Sequence, residues 1–258
     1  MSRAIPPVTI NRFKKIKDIV HGFSPKTLML EEGQAHPLNF SKKADSKILR
    51  HHLRLYLNSL HINGDQAFLV DQVHGDKVHV LGNSKDNDDS IEADAIITHL
   101  TDRPIAVLTA DCIPIIIYDP EKHVVGVVHA GRKGTALGIF SKTISALHEN
   151  YASRPADLLV GVGPGICANC YEVDEQCLTA FQENYEGWQR FVRKTSQGKY
   201  LLDLFLANEV DGALCGVRPE NIHRSGFCTS CHNDRFHSYR KEGATGRMMT
   251  VTMLRPPS

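Results

Sequence analysis

The sequence has neither an excess of charge of one sign nor a long apolar run. Its 258 residues include 30 Lys and Arg against 29 Asp and Glu. Such a balance provides no electrostatic footprint for nucleic acid or for an anionic membrane surface. No apolar run approaches the roughly 18–20 residues that cross a bilayer, and residues 1–11 lack the apolar stretch of a signal peptide. We therefore expect a cytoplasmic protein that binds a small ligand, without a nucleic-acid or membrane partner.

An even set of closely spaced cysteines is also missing. The seven cysteines are an odd number spread over the whole chain, which favours reduced thiols or metal ligands over a disulfide framework. No internal repeat and no Ser/Gly-rich linker divides the sequence. The length suits one large domain or two small ones, and we expect residues 1–258 to form a single domain.

Apolar spacing predicts the main elements of the chain. Residues 31–37 (EEGQAHP) are typical of a loop, and apolar residues near three- and four-residue spacing predict a surface helix from Ile48 to Leu60. The polar stretch from Gly82 to Ser90 predicts a solvated loop rather than a metal site. β-rich runs predict a sheet in the middle of the chain, from the strands Ala67–Val70, Lys77–Leu81, Ala95–Thr98, Ile105–Leu108, Ile115–Tyr118 and Val124–His129.

The second half of the chain alternates strands, glycine turns and helices. The strand that ends at His129 precedes a helix over Thr135–His148. The strand Leu158–Val162 is followed by a Gly-Pro-Gly turn and a helix near Asp174–Asn184. A further helix and two strands complete the chain, at Asp203–Cys215, near Ile222 and at Met248–Leu254. This order predicts an α/β fold.

Three β-rich segments each end at a residue that binds metals well. They end at His74, Cys112 and His129, and a small or turning residue lies beside each one. A sheet fixes the backbone while the following turn leaves the side chain free to project into a cleft. One thiolate and two imidazoles are a three-ligand set that zinc uses when its fourth position stays open, and copper suits the same donors. The alternative is that Cys112 is a small buried apolar residue and that the histidines fall at strand ends by chance.

Several motifs in order resemble the laccase-domain family, which is also called multicopper polyphenol oxidase, purine nucleoside phosphorylase-like, or peptidoglycan editing factor. The resemblance runs from about residue 66 to 254. It rests on the motifs Val73-His74-Gly75, Ala106-Val107-Leu108-Thr109-Ala110-Asp111-Cys112-Ile113-Pro114, His129-Ala130-Gly131, Gly163-Pro164-Gly165-Ile166, Tyr171-Glu172-Val173, Ser238-Tyr239-Arg240 and Thr245-Gly246-Arg247.

The resemblance implies one layered α/β domain with mixed β-sheets flanked by helices, in a cysteine-hydrolase-like architecture. It implies zinc, or copper, bound by the positions that match His74, Cys112 and His129, which would also be the catalytic residues. It further implies purine nucleosides and phosphate as partners, with phosphorolysis of adenosine, inosine and methylthioadenosine and deamination of adenosine. A homodimer is compatible with the resemblance.

Three arginines are candidate substrate-binding residues. An arginine fork matches phosphate geometry, so Arg240 and Arg247 are suited to hold phosphate, although a surface ion pair is the alternative for each. Arg132 stands where relatives usually have Trp, which adds a positive charge near the expected metal. His51 and His52 replace an Asn-Arg pair, and His237 stands where Phe is common. We expect these departures to alter the walls of the pocket.

Three other functions stay open, and the first of them has the least support. A multicopper oxidase needs many paired histidines, yet the sequence contains no His-x-His, so polyphenol oxidation with copper has little support. Cys112 and His129 could instead serve a metal-free Cys-His hydrolase. A role in quality control of cell-wall precursors would follow from the peptidoglycan-editing name.

Two Cys-x-x-Cys pairs and two acidic residues complete the candidates. The pairs, Cys167 with Cys170 and Cys228 with Cys231, could form a four-thiolate zinc site. The stretch between them is far longer than the roughly 15–20 residues of a zinc ribbon, so we expect buried thiols instead. Asp111 and Glu172 are candidate acid/base or metal-supporting groups, with capping of a turn as the alternative.

Overall fold

The computed structural model describes residues 3–30, 33–41, 45–83 and 90–256. Fourteen strands lie in this part of the chain. Their bounds are β1 (Ile19–Phe23), β2 (Thr27–Met29), β3 (Ala35–Pro37), β4 (Val78–Leu81), β5 (Ala95–Thr98), β6 (Ile105–Thr109), β7 (Ile113–Asp119), β8 (Val124–Ala130), β9 (Leu159–Val162), β10 (Glu172–Val173), β11 (Val192–Lys194), β12 (Tyr200–Leu202), β13 (Ile222–Arg224) and β14 (Met248–Leu254).

Six α-helices accompany these strands within the described ranges. They are α1 (Ser46–Ser59), α2 (Arg132–Ala136), α3 (Ile139–Tyr151), α4 (Thr179–Asn184), α5 (Leu204–Leu214) and α6 (Tyr239–Glu242). Asp45 caps α1 by accepting from the N–H groups of Lys47 and Ile48, and Asp203 caps α5 by accepting from Leu206 N–H. None of these helices has the length and apolar character needed to cross a membrane.

Two stacked sheets form the centre of the fold. The larger is a mixed six-stranded sheet in the order β13-β9-β7-β8-β5-β4, with parallel pairs at both edges. The smaller is antiparallel, in the order β1-β14-β6. Two short sheets, β10-β12-β11 and β2-β3, lie outside this stack. The expected layered α/β architecture with mixed sheets and flanking helices is confirmed.

Alternating side chains on each central strand fill different layers of the core. On β7, Ile115 and Ile117 pack with α3 and α5, whereas Ile116 packs towards the smaller sheet. On β14, Val251 faces α1, where it packs with the buried Tyr56. This period of two gives four layers: α3 with α5, the larger sheet, the smaller sheet, and α1.

Several predicted elements differ from the structure. Ala67–Val70 is not a strand, because it contributes only an isolated bridge from Phe68 to Ile105. The helix predicted at Thr135–His148 is two helices, separated at Gly138, whose φ of 73° is left-handed. Asp174–Asn184 begins as a 3-10 helix before α4.

Two predicted loops include residues that the structure does not describe. Within the loop predicted at 31–37, Ala35–Pro37 is a strand paired with β2. Residues 31–32 and 84–89 lie outside the described residues, so most of the loop predicted at Gly82–Ser90 is not tested.

The helices predicted at Ile48–Leu60 and Asp203–Cys215 are confirmed as α1 and α5. That residues 1–258 form one domain stays a prediction.

Stability depends on pH through His21, a buried residue of β1. Its Nε2 accepts a hydrogen bond from Ile10 N–H at 2.8 Å, which requires a neutral ring at that nitrogen. Burial, together with the positive charge of Lys14, lowers the pKa of His21 to about 4. Because the folded pKa lies below the unfolded value of about 6.5, the stabilisation is complete above pH 6.5 and is lost as the pH falls towards 4.

We predict that the free energy of unfolding falls by about 2 to 3 kcal/mol more in the wild type than in His21→Gln between pH 7.5 and pH 4.5. Glutamine keeps an acceptor for Ile10 N–H but does not titrate. Urea unfolding at both pH values measures the difference. Equal losses in the two proteins would contradict the role of His21.

Candidate active site

Three donor side chains meet at one end of the larger sheet. Cys112 lies in the turn between β6 and β7, and His129 is the next-to-last residue of β8, where it pairs with Pro114. His74 lies in the loop before β4. The donor atoms of the three residues all lie within 4.8 Å of one another. His129 is buried, Cys112 is half-buried and His74 is exposed, so the cluster opens to solvent on the His74 side.

A fully buried carboxylate, Asp94, holds two of these residues in place. His129 Nδ1 donates to Asp94 Oδ1 at 2.7 Å, and the backbone N–H groups of His74 and Gly75 donate to the two carboxylate oxygens at 3.0 and 2.6 Å. The bond at Nδ1 leaves His129 Nε2 as the nitrogen available to a ligand. The bond from His74 N–H to Asp94 supports the left-handed conformation of His74, whose φ is 56°.

Cys112 and His129 shift each other's protonation in opposite directions. Burial raises the pKa of the Cys112 thiol, but the charges and hydrogen bonds of His129 and His74 outweigh burial and bring the pKa to about 6. Burial lowers the pKa of His129, but Cys112 and Asp94 outweigh it and raise the pKa to about 9. Without a metal, the pair is therefore a thiolate and an imidazolium at neutral pH.

Two neighbouring residues, Gly131 and Gln72, help to position the ligand side chains. A Cβ at Gly131 would lie 3.1 Å from Cys112 Sγ and 3.2 Å from a ring carbon of His74, so glycine leaves room for both side chains. The side-chain amide of Gln72 donates to the carbonyl of Leu108 at 2.8 Å and accepts from its N–H at 2.7 Å. These bonds attach the loop that carries His74 to β6.

The donor set fits a transition metal. Within the described residues the cluster offers one sulfur and two imidazole nitrogens, and a carboxylate orients one of the imidazoles. Structural zinc sites are usually closed by four protein ligands, whereas catalytic sites keep one position for water or substrate. A carboxylate that binds the second nitrogen of a histidine is a common support for a metal ligand. The chemistry and the spacing are therefore compatible with zinc or copper.

The cluster lies in a cleft of about 950 Å³ that all three predicted arginines also line. Arg132 donates to the carbonyl of Cys177 at 3.2 Å, and Arg240 donates to the carbonyl of Glu172 at 2.6 Å. Arg247 donates to two carbonyls of its own turn at 3.1 Å. In the described part of the chain, none of the three guanidinium groups forms an ion pair with a carboxylate, which leaves their charge for an anionic ligand.

Asp111 links the loops that form one wall of the cleft. Its carboxylate accepts from Thr229 Oγ1 at 2.6 Å, from Ser238 Oγ at 2.7 Å and from Arg240 N–H at 2.6 Å. With three donors around it, Asp111 caps and joins these segments, as the capping alternative predicts. Glu172 is exposed and contributes its backbone carbonyl to Arg240.

Only one of the four departures from the family pattern lines the cleft. Arg132 does, but His51 and His52 lie on α1 and line a separate groove. His237 is buried away from the cleft, where Nε2 lies 2.9 Å from the carbonyl of Leu38 and Nδ1 lies 3.0 Å from Thr245 Oγ1. The expectation that these three histidines alter the pocket walls is therefore wrong, because α1 packs on the opposite side of the smaller sheet and His237 faces inward.

Sequence reasoning missed several residues of the site. Asp94 and Gln72 fix the ligand loops, and Tyr171 lines the cleft with the Arg240 guanidinium 4.9 Å from the centre of its ring. Lys133 and Tyr239 also line the cleft. Tyr171 and Tyr239 belong to motifs that the resemblance already used, whereas Asp94 stands in a stretch with no such signal.

Comparison with known proteins identifies the family. Residues 20–255 match the model of the family described as "Multi-copper polyphenol oxidoreductase laccase", and the chain belongs to this family. A crystal structure of the Bacillus licheniformis hypothetical protein YfiH superposes with a TM-score of 0.87 at 27% identity over 97% of both chains.

The similar curated proteins are named purine nucleoside phosphorylases. YlmD of Bacillus subtilis is 29% identical over 91% of this chain and 88% of its own length. ORF3 of Streptomyces griseus is 35% identical over 75% of this chain and 77% of its own length. The mouse and human proteins named LACC1 are longer, and the matches span 53% and 56% of their lengths.

We predict that Asp94→Asn weakens zinc binding about 10- to 100-fold, because the amide cannot accept from His129 and from both backbone N–H groups as the carboxylate does. Competition with a chromophoric chelator measures the affinity. Asp76→Asn is the matched control, since Asp76 is a surface residue that pairs with Lys142. An unchanged affinity in a folded Asp94→Asn protein would contradict the role of Asp94.

Proposed function

We propose that the protein is a zinc-dependent purine nucleoside enzyme that catalyses phosphorolysis and, on adenosine, deamination. The observation that carries the proposal is the meeting of His74, Cys112 and His129 in a cleft that is also lined by three arginines, each of which donates to a backbone carbonyl. The names of the relatives, purine nucleoside phosphorylases, support the same class of substrate. Adenosine, inosine and methylthioadenosine are the proposed nucleosides.

His74, Cys112 and His129 would hold the zinc. Bound zinc supplies a Lewis acid and lowers the pKa of water to near 7. Asp94 orients His129 by accepting from Nδ1, so that the opposite nitrogen faces the cleft. Cys112 is already a thiolate at neutral pH, because the two histidines beside it bring its pKa to about 6. Copper suits the same donors, but we propose no oxidase activity.

Phosphorolysis needs phosphate held in line with the sugar carbon that carries the base. In this reaction a phosphate oxygen forms a bond to C1′, the C1′–N9 bond breaks, and its electron pair leaves with the purine, which takes up a proton. Arg132, Arg240 and Arg247 would bind the phosphate, because guanidinium groups match its geometry and their present partners are neutral carbonyls. Deamination instead adds water at C6 and releases ammonia.

A second candidate function is supported by the triad-like order of three side chains. Cys112 lies beside His129, and His129 Nδ1 donates to the buried Asp94 at 2.7 Å. A thiol, an imidazole and a carboxylate in this order are the components of metal-free cysteine hydrolases. The reaction would be acyl transfer to Cys112 followed by hydrolysis, for instance on a cell-wall precursor.

We predict that His74→Ala, Cys112→Ala and His129→Ala each lower nucleoside turnover by about 100-fold or more while the fold is retained. A panel of purine nucleosides with and without phosphate measures the two reactions: phosphate-dependent release of free base reports phosphorolysis, and phosphate-independent ammonia reports deamination. Removal of zinc by a chelator should abolish both, and added zinc should restore them. If activity survives chelation but is lost on alkylation of Cys112, the metal-free hydrolase replaces this proposal.

We predict that alanine at Arg132, Arg240 or Arg247 raises the KM for phosphate about tenfold, which corresponds to one charge-assisted hydrogen bond of about 1.4 kcal/mol. Phosphate-independent deamination should change much less. Arg154→Ala is the matched control, because Arg154 pairs with Asp157 and does not line the cleft. If all three variants keep the wild-type KM for phosphate, phosphate binds elsewhere.

A further inference from the structure

A second group of sulfur atoms lies outside the cleft. The four-cysteine cluster consists of Cys167, Cys170, Cys228 and Cys231. Their sulfur atoms all lie within 4.8 Å of one another. Burial differs along the cluster, since Cys228 is buried, Cys231 is exposed and the other two are half-buried. The expectation of four buried thiols is therefore wrong.

The sheet topology brings the two Cys-x-x-Cys pairs together across a long separation in sequence. β9 and β13 are parallel neighbours, so their carboxyl ends lie at the same edge of the larger sheet. Past these ends, the chains stay side by side: Gly165 bridges Cys228, and Thr229 N–H donates to the carbonyl of Gly165 at 3.0 Å. The distance along the chain, which argued against a zinc ribbon, therefore does not limit this cluster.

The spacing of the sulfur atoms suits a tetrahedral ion. Zinc binds cysteine sulfur at about 2.3 Å, which places the sulfurs of a regular tetrahedron about 3.8 Å apart. Cys170 Sγ and Cys231 Sγ are 3.4 Å apart, longer than the roughly 2.05 Å of a disulfide bond. The four-cysteine cluster has the sulfur spacing of a ligand set, with only small adjustments required.

Backbone N–H groups already point at the buried sulfur. The N–H groups of Cys167 and Cys231 donate to Cys228 Sγ at 3.3 and 3.4 Å. Such hydrogen bonds orient a cysteine ligand and complement its negative charge. Four thiolates this close repel one another unless a cation lies among them.

We propose that the four-cysteine cluster is a second metal site, which binds zinc through four thiolates. With four protein ligands the site is closed to substrate, so its role is structural. It joins the segment of Tyr171, which follows Cys170 and lines the cleft, to the segment of Thr229, which follows Cys228 and donates to the cleft residue Asp111 at 2.6 Å. The metal fixes the wall of the cleft that contains Tyr171 and Arg240.

Metal content tests the site separately from the proposed function. The Cys112→Ala protein lacks a ligand of the cleft site, so any tightly bound zinc reports the four-cysteine cluster. After reconstitution with zinc under reducing conditions and removal of loose ions, we expect two zinc ions per wild-type chain and one per Cys112→Ala chain. Cys170→Ser/Cys231→Ser should also retain one. Cys215→Ser is the matched control and should keep two, because Cys215 lies at the end of α5, outside both sites.

If the double serine variant fails to fold, cobalt substitution of the Cys112→Ala protein provides an independent test of the four-cysteine cluster. In Cys112→Ala loaded with cobalt, we expect the sulfur-to-cobalt charge-transfer absorption and the intense visible bands of a tetrahedral thiolate site. Absence of bound metal or of these bands in this folded protein would overturn the proposal. A disulfide between Cys170 and Cys231 in protein purified without oxygen would overturn it as well. Neither result would affect the proposed nucleoside chemistry.

Discussion

The arrangement of the site depends on the buried carboxylate of Asp94. Its side chain accepts from the ring of His129 and from the backbone of His74 and Gly75, and its own backbone carbonyl accepts from His129 N–H at 2.7 Å. A carboxylate with no exposed surface needs such partners, because an unpaired charge in the interior is costly. The same bonds that satisfy Asp94 bring two imidazoles from distant parts of the chain to one point.

The stacked sheets explain why this point lies at the rim of the core. β6 belongs to the smaller sheet and β7 to the larger one, so the turn that carries Asp111 and Cys112 crosses from one sheet to the other. His129 shares the alternation of Val125 and Val127, which face the space between the sheets. The ligands therefore emerge where the two layers separate, and the cleft forms in the gap.

Each of the three donors was predicted from its place at the end of a β-rich run. Cys112 and His129 do lie at or beside strand ends, whereas His74 lies in a loop after a segment that forms only isolated bridges, so the strand-end reasoning does not hold for His74. Long-range contacts were not predictable in this way. Asp94 precedes β5 like many solvent-facing acidic residues, and only the fold brings it against His129. Similarly, a β-rich run predicted Ile105–Leu108 as a strand but not the separate sheet that it joins, since residue types indicate a strand and not its neighbour. The break of the long predicted helix follows from Gly138, whose left-handed conformation ends one apolar stripe and starts another.

Diffraction from crystals of the zinc-loaded protein tests whether His74, Cys112 and His129 bind one metal ion together. Data collected on both sides of the zinc absorption edge locate zinc independently of any model of the chain. We expect an anomalous peak about 2.0–2.3 Å from the sulfur and from one nitrogen of each imidazole. A fully loaded crystal with no peak between these three side chains, or with the three turned away from one another, would contradict this expectation.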